Sequence, residues 1–371
     1  MRKLLYTFSL VIAALFTVAA TYNDSDSLTK DFVSGDTGIR SINSLSFGPE
    51  GILFIGDSDN AAIYALDTKD KSLKAAADNI AVDKFDEKVA EVLGTTVDNI
   101  WISDMAVNPV SKTPYFSINL RDGTPVLLKL EGKELINVSL KDASYSKIAL
   151  NNAIAKDAKD RRGRSQRRWA ISDMKYHNGK VFVSGLSNKE FSSSFTSIPF
   201  PFTKKQDFAT LEIYHAAHGK YETHAPIRTF DITNIEGKEY LLASYTCTPL
   251  VLFPIDDLTG GKHLKGRTIA ELGAGNSPID IISFQKGNEL KFFMSNNNRP
   301  VMRINFSDLA NFKDSMTTPV EEFGKDAGLT YDNLPFVNVQ QMDKLDEDNA
   351  LLLRRRSDGV LYLHSRSKKW M

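Results

Sequence analysis

The chain has 371 residues, with 46 basic and 46 acidic side chains, so its formal net charge is zero. This balance argues against general affinity for nucleic acid, which needs a basic surface. The only cysteine is Cys247, so a disulfide within the chain is excluded and the fold must be stabilised by its core.

The first twenty residues have the pattern of an export signal. Arg2 and Lys3 precede a mostly apolar stretch over Leu4–Val18, and small residues then suit cleavage after Ala20. The apolar stretch is short for a membrane span, and no second long apolar run follows it. We therefore predict a periplasmic or secreted protein, with no membrane span in the mature chain and a single domain over residues 21–371.

Six similar units follow along the chain. Each has three short apolar runs separated by polar turns, and two unit starts are nearly identical, Ile102-Ser103-Asp104-Met105 and Ile171-Ser172-Asp173-Met174. Repeats of about 50–70 residues made of short strands predict a radial or stacked β architecture. The units begin near Ile42, Ile102, Ile171, Ile227, Ile279 and Val337.

A fourth strand fits between units, for example over Leu135–Leu140 and Leu211–His215. Four strands per unit, repeated radially, indicate an all-β fold, a β-propeller with six four-stranded blades. A propeller with seven blades is the alternative, because the long gaps over 67–101 and 131–170 could hold more strands. A sandwich or solenoid is the competing fold, and the long, variable connections disfavour a solenoid.

Two connections between units have helical features. The apolar residues of Phe85–Gly94 have helical spacing and Gly94 suits a helix end, whereas Leu150–Asp160 is a weaker case. We expect the ring to close by pairing residues 31–40 with the last blade around 360–369, because an unpaired edge strand is a liability.

Loops on one face of the disc are expected to carry function. In a propeller blade, the start of the innermost strand, the loop between the second and third strands and the link between blades share one face, and function concentrates in such loops. They could bind a small molecule or an exported protein partner. The ligand-binding candidates on this face are Arg228, Asn188, Cys247, Asn297, Arg299 and Asn338.

Three of the six histidines, His215, His218 and His224, lie close together in the sequence. Imidazole binds Zn or Cu, and three ligands with an open position form a catalytic metal site. The segment favours a β-hairpin in which His215 and His224 approach each other and His218 is solvated. Cys247, on a loop of the same blade as His224, could complete a soft site. The alternative is a buried, inert cysteine beside hydrogen-bonded or exposed histidines.

Asp104, Asp173 and Asp280 occupy equivalent positions in the repeats, at the mouth of the predicted channel. Converging carboxylates repel one another, which favours a bound Ca²⁺ or Mg²⁺ or pairing with Arg228. The alternative is structural, since each carboxylate could accept hydrogen bonds from the backbone of the next blade.

Two further segments leave a functional and a structural interpretation open. An arginine run before the third unit could bind carboxylates or phosphates, or be a solvated loop balanced by Asp157 and Asp160. The phenylalanines of Phe191–Phe202 could form an apolar ligand wall, or pack between blades. The arginine run comprises Arg161, Arg162, Arg164, Arg167 and Arg168.

The stretch Ser46–Asp57, which reads Ser-Phe-Gly-Pro-Glu-Gly-Ile-Leu-Phe-Ile-Gly-Asp, and the two Ser-Asp-Met starts resemble exported bacterial six-bladed propellers of the NHL-like or gluconolactonase-like (regucalcin-like) kind. The stretch Gly185–Phe191 and the residues around His224–Arg228 resemble uncharacterised exported propeller proteins, which brings no known activity.

The gluconolactonase-like resemblance implies a divalent cation in the channel, held by Glu, Asn and Asp. The matching positions here offer Asp104, Asp173, Asp280 and Asn338, but Asn43 and Ser44 stand where the family has its glutamate. No nucleotide-binding loop, nucleophile elbow or haem motif occurs. We therefore expect a metal-dependent hydrolase (lactonase-like) or oxidoreductase using Ca, Mg, Zn or Cu, or a non-catalytic scaffold that binds a partner protein or a small organic anion.

Overall fold

The computed structural model describes residues 28–74 and 79–371. The predicted export signal over 1–20 lies outside these residues. The described strands form six antiparallel sheets in a ring, which confirms the all-β, six-bladed propeller. No helix among the described residues has the length and apolar character that crossing a membrane requires.

The blades are numbered by the chain order of their innermost strands, and their strands are given from the channel outward. Blade 1 contains Ser44–Phe47, Ile52–Asp57, Ala62–Asp67, Ala143–Ala149 and Val33–Gly35. Blade 2 contains Ile100–Val107, Pro114–Leu120, Pro125–Glu131 and Glu134–Val138. Blade 3 contains Asp173–His177, Lys180–Leu186, Ser193–Pro199, Asp207–His215 and Lys220–Glu222, with Lys262–Lys265 added in parallel to the fourth strand.

The other three blades complete the ring. Blade 4 contains Ile227–Ile235, Lys238–Tyr245, Pro249–Pro254, Arg267–Leu272 and Asp326–Gly328. Blade 5 contains Pro278–Lys286, Glu289–Asn296, Met302–Asn305 and Asp332–Asn333. Blade 6 contains Val339–Lys344, Asn349–Arg355, Leu361–Ser367 and Ala81–Val82.

The three apolar runs of each predicted unit become the first three strands of a blade. The second strands are continuous apolar runs because each blade packs against a neighbour on both faces. Ile52–Asp57, for example, is buried at every position. The core therefore consists of separate apolar layers between adjacent blades.

The order of the blades around the ring differs from their order along the chain. Blade 1 shares one buried layer with blade 2, through Leu45 and Tyr115, and another with blade 3, through Phe54 and Ile171. After its third strand the chain reaches the edge of blade 6, forms blade 2, and returns with Ala143–Ala149 to the outside of blade 1. The ring therefore runs 1, 3, 4, 5, 6, 2.

The predicted ring closure is wrong. Val33–Gly35 pairs with Ala143–Ala149 in blade 1, and the last blade is instead covered by Ala81–Val82, which pairs with Leu361–Ser367. The reason is the ring order: blade 2 follows blade 6, so the segment that leads into blade 2 covers the edge of blade 6.

Helix α1, Phe85–Val92, confirms the stronger helical prediction, and its Phe85 and Val89 are buried between blades 2 and 6. The weaker prediction over 150–160 is wrong, because that segment forms turns and two isolated bridges, Ala153 to Ser187 and Lys159 to Ser165. Asparagines at its start favour such turns over helix. A short helix α2, Phe306–Asn311, follows the third strand of blade 5.

Candidate functional site

One side chain from each innermost strand accepts a backbone N–H from the next blade around the ring. Four of the acceptors are aspartates and two are hydroxyls, and together they join all six blades. With the accepting side chain named first and the residue whose N–H donates second, the pairs are Asp104 and Leu45 (2.6 Å), Ser46 and Tyr176 (3.1 Å), Asp173 and Phe230 (3.1 Å), Thr229 and Ile281 (3.1 Å), Asp280 and Met342 (2.7 Å), and Asp343 and Val107 (2.7 Å). Asp104, Asp173 and Asp280 thus have the structural role that their repeat positions left open, and a Ca²⁺ or Mg²⁺ bound to them stays a prediction.

The four aspartates around the channel are weaker acids than usual. Burial, followed by the charge of neighbouring aspartates, raises the pKa of Asp280 well above its usual range. Burial also raises the pKa of Asp104 to about 8, against hydrogen bonds that lower it. The same cause raises the pKa values of Asp173 and Asp343 to about 6. A proton that Asp104 retains at neutral pH therefore relieves part of the repulsion among these carboxylates.

One cation of the channel wall is already paired. Lys175 Nζ lies 2.6 Å from Asp231 Oδ1, and Asp231 is 5% exposed. Burial opposes the charge on Lys175, but the charge and hydrogen bond of Asp231 outweigh it and raise the Lys175 pKa. This pair joins blades 3 and 4 on the channel side.

The channel widens into two chambers. The upper chamber, at the face where the innermost strands begin, has a volume of about 360 Å³, and the lower chamber about 350 Å³. Asp104, Asp173 and Asp280 line both, so these carboxyl groups form the floor of the upper chamber.

The wall of the upper chamber carries an arginine–tryptophan cluster. The guanidinium Cζ atoms of Arg228 and Arg168 lie 4.4 and 4.9 Å from the Trp169 ring centroid. The suggested pairing of Arg228 with the aspartates is absent: among the described residues no carboxylate oxygen lies within 4.0 Å of it. Trp101, 71% exposed, lies at the rim.

A second polar cluster lies on the same face, between the outer part of blade 3 and blade 4. His215 ends the fourth strand of blade 3, His218 ends the turn that follows, and Cys247 lies in the loop after Lys238–Tyr245 of blade 4. One donor atom from each of these three residues lies within 4.8 Å of the others. The structure thus joins Cys247 to two of the three predicted histidines.

Glu222 orients both imidazoles of this cluster. Its Oε2 lies 2.9 Å from His215 Nδ1, and its Oε1 lies 2.8 Å from His218 Nδ1. Burial opposes ionisation of Glu222, but the two histidine hydrogen bonds lower its pKa to about 2. An ionised carboxylate only accepts, so both Nδ1 atoms donate to it, and Nε2 is the remaining nitrogen of each ring.

The thiol and the buried imidazole polarise each other. Burial disfavours charge on His215, but hydrogen bonds with Cys247 and Glu222 and the charge of Glu271 raise its pKa to about 9. The hydrogen bond from His215 lowers the Cys247 pKa. Burial raises the pKa of Glu271, whose Oε2 lies 3.9 Å from His215 Nε2. These shifts make the Cys247 thiol a stronger acid and the Glu271 carboxyl a weaker one than usual.

The loop that carries Cys247 has unusual backbone geometry. Cys247 and Thr248 have φ values of 65° and 61°. Residues other than glycine adopt this left-handed region at a cost, and it persists where the surroundings enforce it. Here the Cys247 N–H donates to Asn276 O at 2.7 Å, and the Thr248 hydroxyl donates to Gly273 O at 3.1 Å.

The predicted hairpin is present, but its histidines are arranged differently. Asp207–His215 pairs with Lys220–Glu222, and the 3₁₀ turn Ala216–His218 brings the His218 ring centroid to 3.9 Å from that of His215. His224 lies outside the cluster and its Nδ1 is 3.1 Å from Ser192 Oγ. The expectation that His224 approaches His215 is therefore wrong, because the hairpin is shorter and its turn folds back. His218 is exposed to solvent as expected, but its ring also lies near that of His215.

The other ligand candidates lie outside both chambers. Asn188 is exposed, and Asn297 accepts the Ser277 N–H at 2.8 Å. Arg299 donates to Gly324 O at 2.6 Å, and Asn338 has a φ of 56° and is exposed. The side chains of Asn297 and Arg299 therefore support their loops rather than lining the channel.

The arginine run divides into different roles. Arg164 forms an exposed ion pair with Asp160 at 2.6 Å, and Arg167 Nη2 donates to Asp59 O at 3.1 Å. Arg168 instead faces the upper chamber. Part of the arginine run is therefore a solvated loop, and its last residue, Arg168, lines a candidate anion site.

The phenylalanine segment packs between blades. Phe200 lies 4.8 Å from Phe54 of blade 1, centroid to centroid, and Phe195 is buried between blades 3 and 4. This confirms the packing alternative for these two residues.

Sequence reasoning missed several residues of these sites. Glu222 stands between His218 and His224 in the sequence, and a cross-strand register would have placed it near His215. Asp343 was missed because it lies further along its strand than the aspartates at the other unit starts, opposite Leu351 and beside the lower chamber. Trp169, at the start of the third unit, gave no signal of its contact with two arginines.

No protein-family profile and no curated protein sequence matches the chain. Solved structures that are similar include the extracellular domains 1–2 of Drosophila Semaphorin 1b (8% identity, TM-score 0.39, 91% of this chain and 86% of that one). A putative oxidoreductase (glucose dehydrogenase) from Thermus thermophilus gives 10% identity, TM-score 0.36 and coverages of 90% and 99%. The PQQ-bound aldose sugar dehydrogenase from Streptomyces coelicolor has 11% identity and a TM-score of 0.32, and the match covers 90% of this chain and 97% of that one. At this level of similarity, none of them indicates what this chain binds.

Proposed function

We propose that the chain is a metal-dependent propeller whose metal centre consists of His215, His218 and Cys247. The observation that carries the proposal is the single carboxylate of Glu222, which accepts a hydrogen bond from Nδ1 of both rings. Ligating histidines usually donate their second ring nitrogen to such a carboxylate, which fixes the tautomer and the ring orientation. The Nε2 lone pairs of His215 and His218 are then the ones available to a metal.

The ligand set selects the kind of metal. A thiolate with two imidazoles suits Zn²⁺ or Cu, whereas Ca²⁺ and Mg²⁺ prefer oxygen ligands. Ligand atoms within 4.8 Å of one another are close enough to share one ion after small side-chain adjustments. His218, with a side chain 46% exposed, and the partly buried Cys247 leave one side of the group open to solvent.

Three protein ligands with an open position are the arrangement of catalytic zinc sites, in which a bound zinc lowers the pKa of its water to about 7. Glu271 lies at the inner side of the group, and burial raises its pKa, which favours its proton-bound form. Its Oε2 accepts the Ala217 N–H at 3.1 Å, which fixes the carboxyl group. These features favour hydrolytic chemistry, with Glu271 exchanging the proton.

A competition titration of the protein with zinc and a chromophoric chelator tests the centre. We expect one zinc per chain, with affinity reduced at least about tenfold to hundredfold by Glu222→Gln and more by Cys247→Ser. His224→Ala is the matched control, because this neighbouring histidine lies outside the group and should leave affinity unchanged. Equal losses in His224→Ala and His215→Ala, or no zinc binding by the wild type, would overturn the proposal.

The hydrolytic role has a separate test. Zinc-loaded wild type should hydrolyse a chromogenic ester such as p-nitrophenyl acetate, and Glu271→Gln should lower kcat by about 10²-fold or more while zinc binding is retained. An unchanged rate in Glu271→Gln would remove this residue from the chemistry, and equal rates with and without zinc would remove the metal.

A further inference from the structure

The upper chamber is a second site, independent of the metal centre. Its volume of about 360 Å³ lies within the range of about 300–1,000 Å³ that is typical of small-molecule sites. Its wall is cationic and aromatic, and its floor consists of carboxyl groups. This separation of charge within one cavity indicates which chemistry the chamber accepts.

The two guanidinium groups on the wall lack anionic protein partners. Among the described residues, the side chains of Arg168 and Arg228 form no ion pair within 4.0 Å, and both lie against the Trp169 ring. Arg228 Nε is shielded from solvent and has no hydrogen-bond partner. Two unpaired cations on one aromatic ring repel each other, and burial together with the charge of Arg168 lowers the Arg228 pKa. An anion between them relieves both costs.

The carboxyl groups of the floor of the upper chamber require hydrogen-bond donors, whereas the arginines of its wall require an anion. Asp280 uses Oδ2 for the Met342 N–H at 2.7 Å, and no donor among the described residues bonds its Oδ1. Asp104 and Asp173 beside it accept backbone N–H groups but retain further lone pairs toward the chamber. A group that donates hydrogen bonds therefore suits the floor, and a second anionic group does not.

We propose that the upper chamber binds a small organic carboxylate whose opposite end donates hydrogen bonds. The carboxylate lies between the guanidinium groups of Arg168 and Arg228, whose planar fork matches it, and the donor end contacts the aspartates of the floor. Trp101 at the rim supplies an apolar side wall. The donor is either a hydroxyl or an ammonium group, and both satisfy the same floor. A phosphate dianion fits less well, because it has no separate end that donates hydrogen bonds to the floor.

Calorimetric titration of the wild-type protein tests the proposal with matched probes at millimolar concentration. The probes are ω-hydroxy acids and ω-amino acids of three to nine carbons, the plain carboxylates of the same skeletons, the corresponding alcohols and inorganic phosphate. We expect binding by hydroxy acids, amino acids or both, which identifies the donor. The plain carboxylates should bind at least about tenfold more weakly, and the alcohols not at all.

Variants then locate the bound carboxylate. Arg168→Gln, a change at an exposed residue, should weaken binding about tenfold to hundredfold, and Arg228→Gln should do the same. Arg164→Gln is the matched control from the same run, because Arg164 is paired with Asp160 outside the chamber. No binding by any carboxylate, tighter binding of phosphate, or unchanged affinity in Arg168→Gln would overturn the inference. Zinc affinity should be unaffected in every variant, so the two proposals fail separately.

Discussion

Replacing Asp343 by asparagine should change the stability of the propeller in a pH-dependent way. Asp343 Oδ2 accepts the Val107 N–H at 2.7 Å, which joins blade 6 to blade 2, and its Oδ1 accepts the Lys344 N–H at 2.7 Å. Burial raises its pKa from 3.8 to about 6. Because the folded state holds the proton more tightly than the unfolded state, the stabilisation is complete below about pH 4 and is lost as pH rises above about 6.

The size of the effect follows from this shift. A change from 3.8 to about 6 corresponds to about 3 kcal/mol. Asp343 keeps partial contact with water in the channel, which reduces the expected effect to roughly 1–2 kcal/mol. The asparagine oxygen can still accept the Val107 N–H, but the Lys344 N–H loses its acceptor at a pH-independent cost of about 1 kcal/mol. The variant should therefore be less stable than wild type near pH 4.5 and about as stable, or more stable, near pH 8.

Urea denaturation of both proteins at several pH values measures this difference directly. The stability of Asp343→Asn relative to wild type should rise by roughly 1–2 kcal/mol between about pH 4.5 and 8. Asp122→Asn is the control with a flat difference over this range, because hydrogen bonds from Thr124 lower the pKa of this exposed carboxylate and it is ionised in both the folded and the unfolded state above about pH 4.5. A flat or falling difference for Asp343→Asn would refute the electrostatic description of the channel.

Three further predictions concern packing, closure and the thiol. Lys175→Met should cost about 3–5 kcal/mol in chemical denaturation, because it leaves Asp231 buried without a partner, and the double variant with Asp231→Leu should recover much of the loss. Val82→Asp, at a site 4% exposed in the closure between blades 6 and 2, should lower Tm sharply, whereas Val33→Asp, at 57% exposure, should leave Tm nearly unchanged. Stoichiometric zinc should slow alkylation of Cys247 by iodoacetamide about tenfold or more, as followed by mass spectrometry, and alkylation that zinc does not slow would contradict thiolate ligation.

The strands of the propeller could be predicted from the sequence because each blade is buried on both faces. Runs such as Ile52–Ile55 are therefore continuously apolar, and the turns between them are polar. The order of the blades could not be predicted, because no unit carries a local signal for its neighbour. Blade 1 lies between blades 2 and 3 through contacts such as Leu45 with Asp104, which are visible only in three dimensions.

The candidate sites were predicted in part. The histidine segment and Cys247 could be singled out from residue type and loop position, since both segments reach the same face, but the sequence paired His215 with His224 rather than with His218. The exclusion of His224 depends on the length of the hairpin, and the role of Glu222 depends on cross-strand register. Both are set by backbone geometry, which spacing in the sequence does not specify.

The most direct test of the metal centre is the absorption spectrum of the protein loaded with cobalt(II), a spectroscopic substitute for zinc. We predict one cobalt per chain and a thiolate-to-cobalt charge-transfer band in the near ultraviolet. The band should persist in His224→Ala and disappear in Cys247→Ser. A wild-type spectrum without this band, or a band that survives in Cys247→Ser, would contradict a centre formed by His215, His218 and Cys247.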